Sequence, residues 1–276
     1  MACNLCDDTG WKPVAEPNGR GVVRCDCWYR KGSAQRISRA SIPKRYIHCT
    51  FANFRAYNET LVRALAYAKR IVDEFPLDRG ALLIGLPGVG KTHLAVATLK
   101  AWIERGGTGL FCTTIDLMSE LRGSYSNSDR QSEADVLDKV TKTDLLVLDE
   151  LGRERVTDWR DEMLHLIINA RYSHRRATLL TTNFDIGDDP VDSLQARVGF
   201  RIYSRLHEMC EFLHVDAADF RERPPNAGDD DLISMWKMRS NRRSLPTRSK
   251  GQVRAQLKTP EGKGRDLGWT GGKAGS

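Results

Sequence analysis

Within the stretch ALLIGLPGVGKTHLAVA, Gly85, Gly90, Lys91 and Thr92 stand at the spacing G-x-x-x-x-G-K-[ST]. These residue types suit one task, holding a polyphosphate together with its metal ion. Glycines let the backbone wrap a phosphate with its N–H groups, and a helix starting near Lys91 aims its positive end at the anion. Lys91 then reaches the terminal phosphate oxygens and Thr92 offers a hydroxyl to Mg²⁺. Pro87, Gly88, Val89 and His93 complete the loop and are candidate nucleotide contacts with it.

The segment DLLVLDE ends in Asp149 and Glu150. On its own it reads as a buried strand reaching solvent. Downstream of a phosphate loop it becomes the metal-side strand, with Asp149 holding Mg²⁺ through water and Glu150 polarising the attacking water. Paired carboxylates favour hydrolysis of ATP over transfer to a second substrate, and no separate lid is evident. In ATLLTTN, Asn183 closes a third apolar run, where its amide can donate to phosphate and accept from water; ordinary turn chemistry explains an Asn there equally well. Arg205 and Arg201, one turn apart in FRIYSRLHEM, are solvated helix-end arginines on a bland reading.

A second cluster comprises Cys3, Cys6, Cys25 and Cys27, spaced C-x2-C and C-x-C. Two chelating thiolate pairs brought together by a hairpin suit tetrahedral Zn²⁺, and Gly10, Pro17, Asn18, Gly19 and Gly21 supply turn residues between them. Free thiols and an iron–sulfur cluster are the competing readings. His48 and Cys49 read as structural, and Cys112 and Cys210 as core residues.

These residues need a scaffold. Apolar runs at 81–85, 109–114, 144–149, 178–182 and 211–215 are continuous rather than alternating, which predicts parallel strands buried on both faces. Helical patterns at 60–75, 91–105, 132–141, 159–175 and 191–207 fall around and between them, giving an α/β core with a parallel sheet flanked by helices. The expected organisation is a zinc-binding module over 1–29, a basic linker over 30–50, an ATPase core over 51–223 and a disordered basic tail over 224–276.

Charge sharpens that division. Of the formal +7 carried by 276 residues, the segment from Lys237 onward contributes eleven Lys/Arg against Glu261 and Asp266. The remainder is therefore slightly acidic. Trp28 to Arg45 forms a second basic run containing Arg30, Lys31, Arg36, Arg39, Lys44 and Arg45 without an acid. Both segments could meet nucleic acid or simply be solvated. No run is long and apolar enough to span a bilayer and the start lacks a secretion pattern, so a cytoplasmic protein without disulfides is expected.

Together GLPGVGKTHLAVA, LMSELRGSY, DLLVLDELG, LLTTN, RIYSRL and DFR resemble the AAA+ ATPases of the DnaC/DnaI-like helicase-loader and IstB-like group, from Ile42 to about Arg223. The entry IPKRYIHCTFANF is similar to the linker that precedes that core. The resemblance implies an AAA+ (ASCE) P-loop fold. It puts Lys91 and Thr92 in Walker A, Asp149 and Glu150 in Walker B, Asn183 at sensor 1, Arg205 at the arginine finger and Arg221 at sensor 2, with Arg201 competing for the finger. A finger of this kind acts on a neighbouring subunit's nucleotide, which implies self-association through the ATP site. The expected partners are a replicative helicase and single-stranded DNA. A transposition helper acting with a transposase, and a zinc-dependent adaptor with nucleotide as a slow switch, are the alternatives.

Overall fold

The structure is a computed structural model that describes residues 3–16, 19–74, 79–123, 132–186, 193–224 and 227–244. An antiparallel hairpin, β1 (Trp11–Glu16) and β2 (Gly19–Arg24), leads into α1 (Asp26–Arg39). Pro17 and Asn18, expected at its turn, lie outside the described residues. After a 3-10 turn at Lys44–Tyr46 come α2 (Glu59–Asp73), β3 (Gly80–Ile84), α3 (Lys91–Glu104), β4 (Gly109–Thr113), α4 (Thr114–Gly123) and α5 (Glu133–Lys142). The chain continues with β5 (Leu145–Asp149), α6 (Asp158–Ser173), β6 (Thr178–Thr182), α7 (Leu194–Val198), α8 (Phe200–Met209), β7 (Cys210–His214) and α9 (Asp229–Ser244).

The five later strands form one parallel sheet in the order β4-β5-β6-β3-β7. Every position of β3, β5 and β6 is buried, as their continuous apolar runs predict. Side chains alternate across the sheet, so each run feeds two cores. Leu83, Val147 and Leu179 pack with α2 and α3 residues such as Ile71 and Leu99. Leu82, Leu146, Leu148 and Leu180 pack on the opposite face with Ile167 and Leu206. Each such leucine contributes roughly 1.5–3 kcal/mol by leaving water. Because β3 neighbours β6, and β6 neighbours β5, the loops leaving their C-terminal ends converge on one edge of the sheet.

Helix ends follow local chemistry. Asn58 accepts from the amide of Leu61 at the start of α2, Thr157 from Arg160 at α6, and Ser132 forms a reciprocal capping box with Asp135 at α5.

The structure departs from the sequence reading in four places. The pattern over 191–207 is two helices, α7 and α8, because Gly199 at φ +80° ends the first before the second begins. Helix α4, which starts at Thr114 and overlaps the quoted LMSELRGSY segment, is an element the strand and helix reading omits. The stretch read as a basic linker begins with α1, which joins the core through buried Ala40, whose carbonyl accepts from Phe111, and through Arg36, which donates to the Ile103 carbonyl. Finally, the predicted disordered tail opens with helix α9. Three aspartates begin it, Leu232 is buried, Trp236 donates to Asp216, and Arg239 donates to the Ala217 carbonyl. The rest of that expected tail, 245–276, lies outside the described residues.

Candidate functional site

The loop after β3 needs its glycines for lack of space. A Cβ on Gly88 would lie 1.7 Å from an Asp219 carboxylate oxygen, and one on Gly85 would lie 2.2 Å from the Val215 carbonyl. Gly90 adopts φ +100° as the N-cap of α3. The N-terminus of α3 therefore opens at the loop, with its free N–H groups available to an anion. Lys91 is buried, 7% exposed, and its Nζ donates to the carbonyls of Gly85 (2.7 Å) and Leu86 (2.8 Å) and to Asn183 Oδ1 (2.8 Å). Burial pushes this lysine down to about 8, with the Asp149 carboxylate acting in opposition.

From the first turn of α3, Thr92 Oγ1 donates to both oxygens of Asp149 at the end of β5, at 3.0 and 3.2 Å. Thr181 Oγ1 donates to Asp149 Oδ1 at 2.5 Å and accepts from the Glu150 amide at 3.0 Å. Burial raises the Asp149 carboxyl above the usual carboxylate range, while the two threonine hydroxyls act to lower it. Glu150 is held at φ +60°, a conformation that costs a non-glycine residue about 1–3 kcal/mol. Thr181 below it and Thr114, which donates to the Asp149 and Glu150 carbonyls, fix that bend. Its carboxylate pairs with Arg153 at 2.5 Å.

These groups border a cleft of about 760 Å³. Pro87, Gly88, Gly90, Lys91, Thr92, His93, Glu150 and Asn183 line it, so most of the residues singled out in the sequence meet in one place. Asp149 lies beneath Thr92, itself only 4% exposed. Arg221 also lines the cleft, on a 3-10 turn tied back to the loop by the Phe220 amide donating to the Gly88 carbonyl at 3.0 Å. Val89 turns its side chain into the core, leaving only its backbone for the loop. Gly85 lies against β7 and borders a smaller adjoining groove.

Arg205 and Arg201 are not part of this cleft. They border a shallow surface beside His165 and Tyr172, where Arg205 Nη1 lies 3.5 Å from His165 Nε2. The sequence reading missed Thr181, Thr114, Arg153 and Arg55, and it treated Arg45, Tyr46, Asn53 and Phe54 only as a lead-in, although these four and Arg55 border the cleft. His93 explains how they are held, since its Nε2 lies 3.1 Å from the Thr50 carbonyl and 3.0 Å from Asn53 Oδ1.

The cysteine cluster assembles as a separate centre. All four sulfurs of Cys3, Cys6, Cys25 and Cys27 lie within 4.8 Å of one another, with Cys3–Cys25 at 3.7 Å and Cys6–Cys27 at 3.1 Å. Four thiolates around tetrahedral Zn²⁺ at bonds of ~2.3 Å would stand roughly 3.8 Å apart, so the donor set fits such an ion. The amide of Cys25, at the start of α1, donates to the Gly10 carbonyl, so the cluster pins hairpin and helix together. Of the two cysteines expected in the core, Cys210 is buried there and Cys112 is half-buried against it; burial pushes both thiols up to about 12. No helix among the described residues is long and apolar enough to cross a membrane.

Known proteins share this arrangement. The replicative helicase loader DnaC of Escherichia coli K12 is 29% identical over 203 residues, covering 72% of this chain and 80% of that protein. The uncharacterized protein YdaV of the same strain is 32% identical over 191 residues, covering 67% and 74% respectively. Among solved structures, the crystal structure of the DnaC helicase loader superposes with a TM-score of 0.56 at 36% identity, over 63% of this chain and 99% of that one. A family model described as IstB-like ATP binding protein matches residues 39–226, which span the cleft from its N-terminal rim through Arg221. With the phosphate loop, the acidic strand and the parallel sheet in one AAA+ architecture, the chain belongs to the family of IstB-like ATP-binding proteins.

Proposed function

We propose that the protein is an ATP-hydrolysing helicase loader that delivers a replicative helicase to single-stranded DNA. The observation that carries this reading is the meeting of Lys91, Thr92, Glu150 and Asn183 around one cleft over buried Asp149. Its similarity to a protein named as a replicative helicase loader, over 80% of that protein, supplies the biological context.

Each residue has a role in this account. The loop amides, Lys91 and Arg221 hold the phosphates of ATP, and Thr92 and Asp149 hold Mg²⁺, Asp149 through water. When bound, Mg²⁺ neutralises charge on the phosphate oxygens. Glu150 orients and deprotonates the attacking water once its carboxylate is released from Arg153. Asn183 exchanges its bond to Lys91 for one to phosphate or water. Arg205, or Arg201 in its place, lies outside its own chain's cleft and serves the nucleotide of a neighbouring copy, so the working form is an oligomer. Cys3, Cys6, Cys25 and Cys27 bind Zn²⁺ as a structural staple for the N-terminal hairpin.

Affinity purification of the full chain from its native host, with Glu150→Gln to arrest turnover, tests the reading. Recovery of the replicative helicase in an ATP-dependent manner is the expected result. Recovery of a transposase instead would favour a transposition helper, the second reading that the resemblance in sequence implies. Absence of ATP hydrolysis with or without DNA would leave only a nucleotide-gated adaptor.

A further inference from the structure

We infer that the outer face of the β1–β2 hairpin is a stacking surface for single-stranded nucleic acid. This deepens the loader reading and rests on it, because it assigns the contact with single-stranded DNA to a surface away from the ATP cleft.

The register of the hairpin pairs Trp11 with Arg24 and Pro13 with Val22. Side chains alternate along a strand, so these four share one face. That face is open, with Trp11 43% and Val22 66% exposed and Pro13 exposed as well. The Arg24 guanidinium lies 3.8 Å from the centroid of the Trp11 ring. Of eleven large apolar side chains exposed among the described residues, Leu5, Trp11, Val22 and Val23 belong to this small module, so its exposure is concentrated rather than scattered.

Charge selects the occupant. Residues 1–45 carry nine Lys/Arg (Lys12, Arg20, Arg24, Arg30, Lys31, Arg36, Arg39, Lys44, Arg45) against Asp7, Asp8, Glu16 and Asp26, while the chain from there up to Lys237 is acidic on balance. An aromatic ring stacked with an arginine, leading into the acid-free basic run from Trp28 to Arg45, matches the π-faces and phosphates of an unpaired strand. A base laid on the exposed indole extends the Arg24–Trp11 stack. Duplex DNA offers no free base face to such a ribbon. The cysteine cluster at the base of the hairpin supplies the rigidity the small module lacks, through Cys25 next to Arg24. Beyond α1, exposed Lys44 and Arg45 continue the basic chain to the mouth of the ATP cleft, which Arg45 lines.

The test is fluorescence anisotropy of a labelled oligothymidine with the full chain, with and without ATP. Trp11→Ala should weaken binding by about fivefold to a hundredfold, the range expected from losing one base–aromatic stack, while Trp11→Phe retains most of it. Val22→Glu, at a solvent-exposed position that leaves the fold alone, should weaken binding, whereas Val22→Lys should not. Arg24→Gln should reduce the slope of log affinity against log salt by about 1. ATP hydrolysis and metal content should match the unmodified chain in the Val22 pair. Binding within twofold of the unmodified chain for Trp11→Ala and Val22→Glu would overturn the inference and leave the loader reading intact. Failure of the unmodified chain to bind the oligomer in any nucleotide state would overturn both. If the Trp11 and Val22 variants bind the oligomer normally but no longer capture purified helicase, the face docks a protein and the inference is wrong.

Discussion

Lys91 Nζ donates to Asn183 Oδ1 at 2.8 Å, linking the phosphate loop to the end of the neighbouring strand. With the Gly85 and Leu86 carbonyls this bond occupies all three lysine donors, so the ammonium is already held at the floor of the cleft. In the proposed mechanism, nucleotide redirects this ammonium and releases Asn183 in the same movement.

A pH dependence follows from that burial. In the free protein Lys91 loses its proton near pH 8, whereas phosphate in the cleft favours the charged ammonium. Affinity for ADP should be flat below about pH 8 and then fall, by up to about tenfold per pH unit, as the free lysine becomes neutral. Calorimetry at pH 8.5 in buffers of different ionisation enthalpy should record proton uptake on binding. Lys91→Ala should abolish nucleotide binding at any pH.

Glu150 and Thr181 should separate chemistry from binding. Glu150→Gln is expected to bind ATP while turnover falls by about a hundredfold or more. Thr181→Val removes the hydroxyl that serves both the Asp149 carboxylate and the Glu150 amide, so it should lower kcat about tenfold with little change in ADP affinity. Thr181→Ser should restore the rate. Normal hydrolysis by Glu150→Gln would remove the water-activating role assigned to it.

How much of this was legible in the sequence depended on whether the signal was local. The phosphate loop and the buried strands are contiguous runs, and their order alone brings Lys91, Asp149 and Asn183 to adjacent strands. Thr181 and Thr114 act across the sheet, so nothing within LLTTN or the FCTT run that ends at Thr114 distinguishes them from ordinary strand and cap threonines. Leu194, Val198, Ile202 and Leu206 recur every fourth residue straight through Gly199, and the pattern therefore reads as one helix where backbone geometry makes two. Helix α9 shows little more than one apolar turn, Leu232 to Trp236, within a charged stretch, and its anchors at Asp216 and Ala217 are tertiary.

Arg171 presents a stability prediction of the same tertiary kind. It is fully buried without a carboxylate partner in the hydrogen bonds it makes. Its guanidinium donates to the carbonyls of Val140, Thr143, Asp144 and Ala177 and to Thr178 Oγ1. Burial lowers its pKa to about 9. Arg171→Met should leave these carbonyls unsatisfied and cost about 3 kcal/mol or more in denaturant unfolding, since several buried acceptors lose their donors together. An unchanged unfolding midpoint would show that the carbonyls find other partners.

The cysteine centre is checked by metal analysis. Purified protein should carry one zinc per chain, and Cys6→Ser should lose it. Chelation should make the segment before Trp28 sensitive to protease while the sheet core keeps its cooperative unfolding, because all four cysteines precede Trp28, outside the parallel sheet. A metal-free product with an intact, protease-resistant N-terminus would dismiss zinc.

The central claim is that ATP is hydrolysed between two copies of the chain, one giving Lys91 and Glu150 and the other Arg205. The direct measurement is ATPase activity across mixtures of Lys91→Ala and Arg205→Ala subunits, each inactive alone, in the presence of single-stranded DNA. The account predicts recovery of activity at intermediate ratios, where an intact cleft meets an intact arginine from its neighbour. No recovery at any ratio, with Arg201→Ala mixtures equally silent, would contradict it.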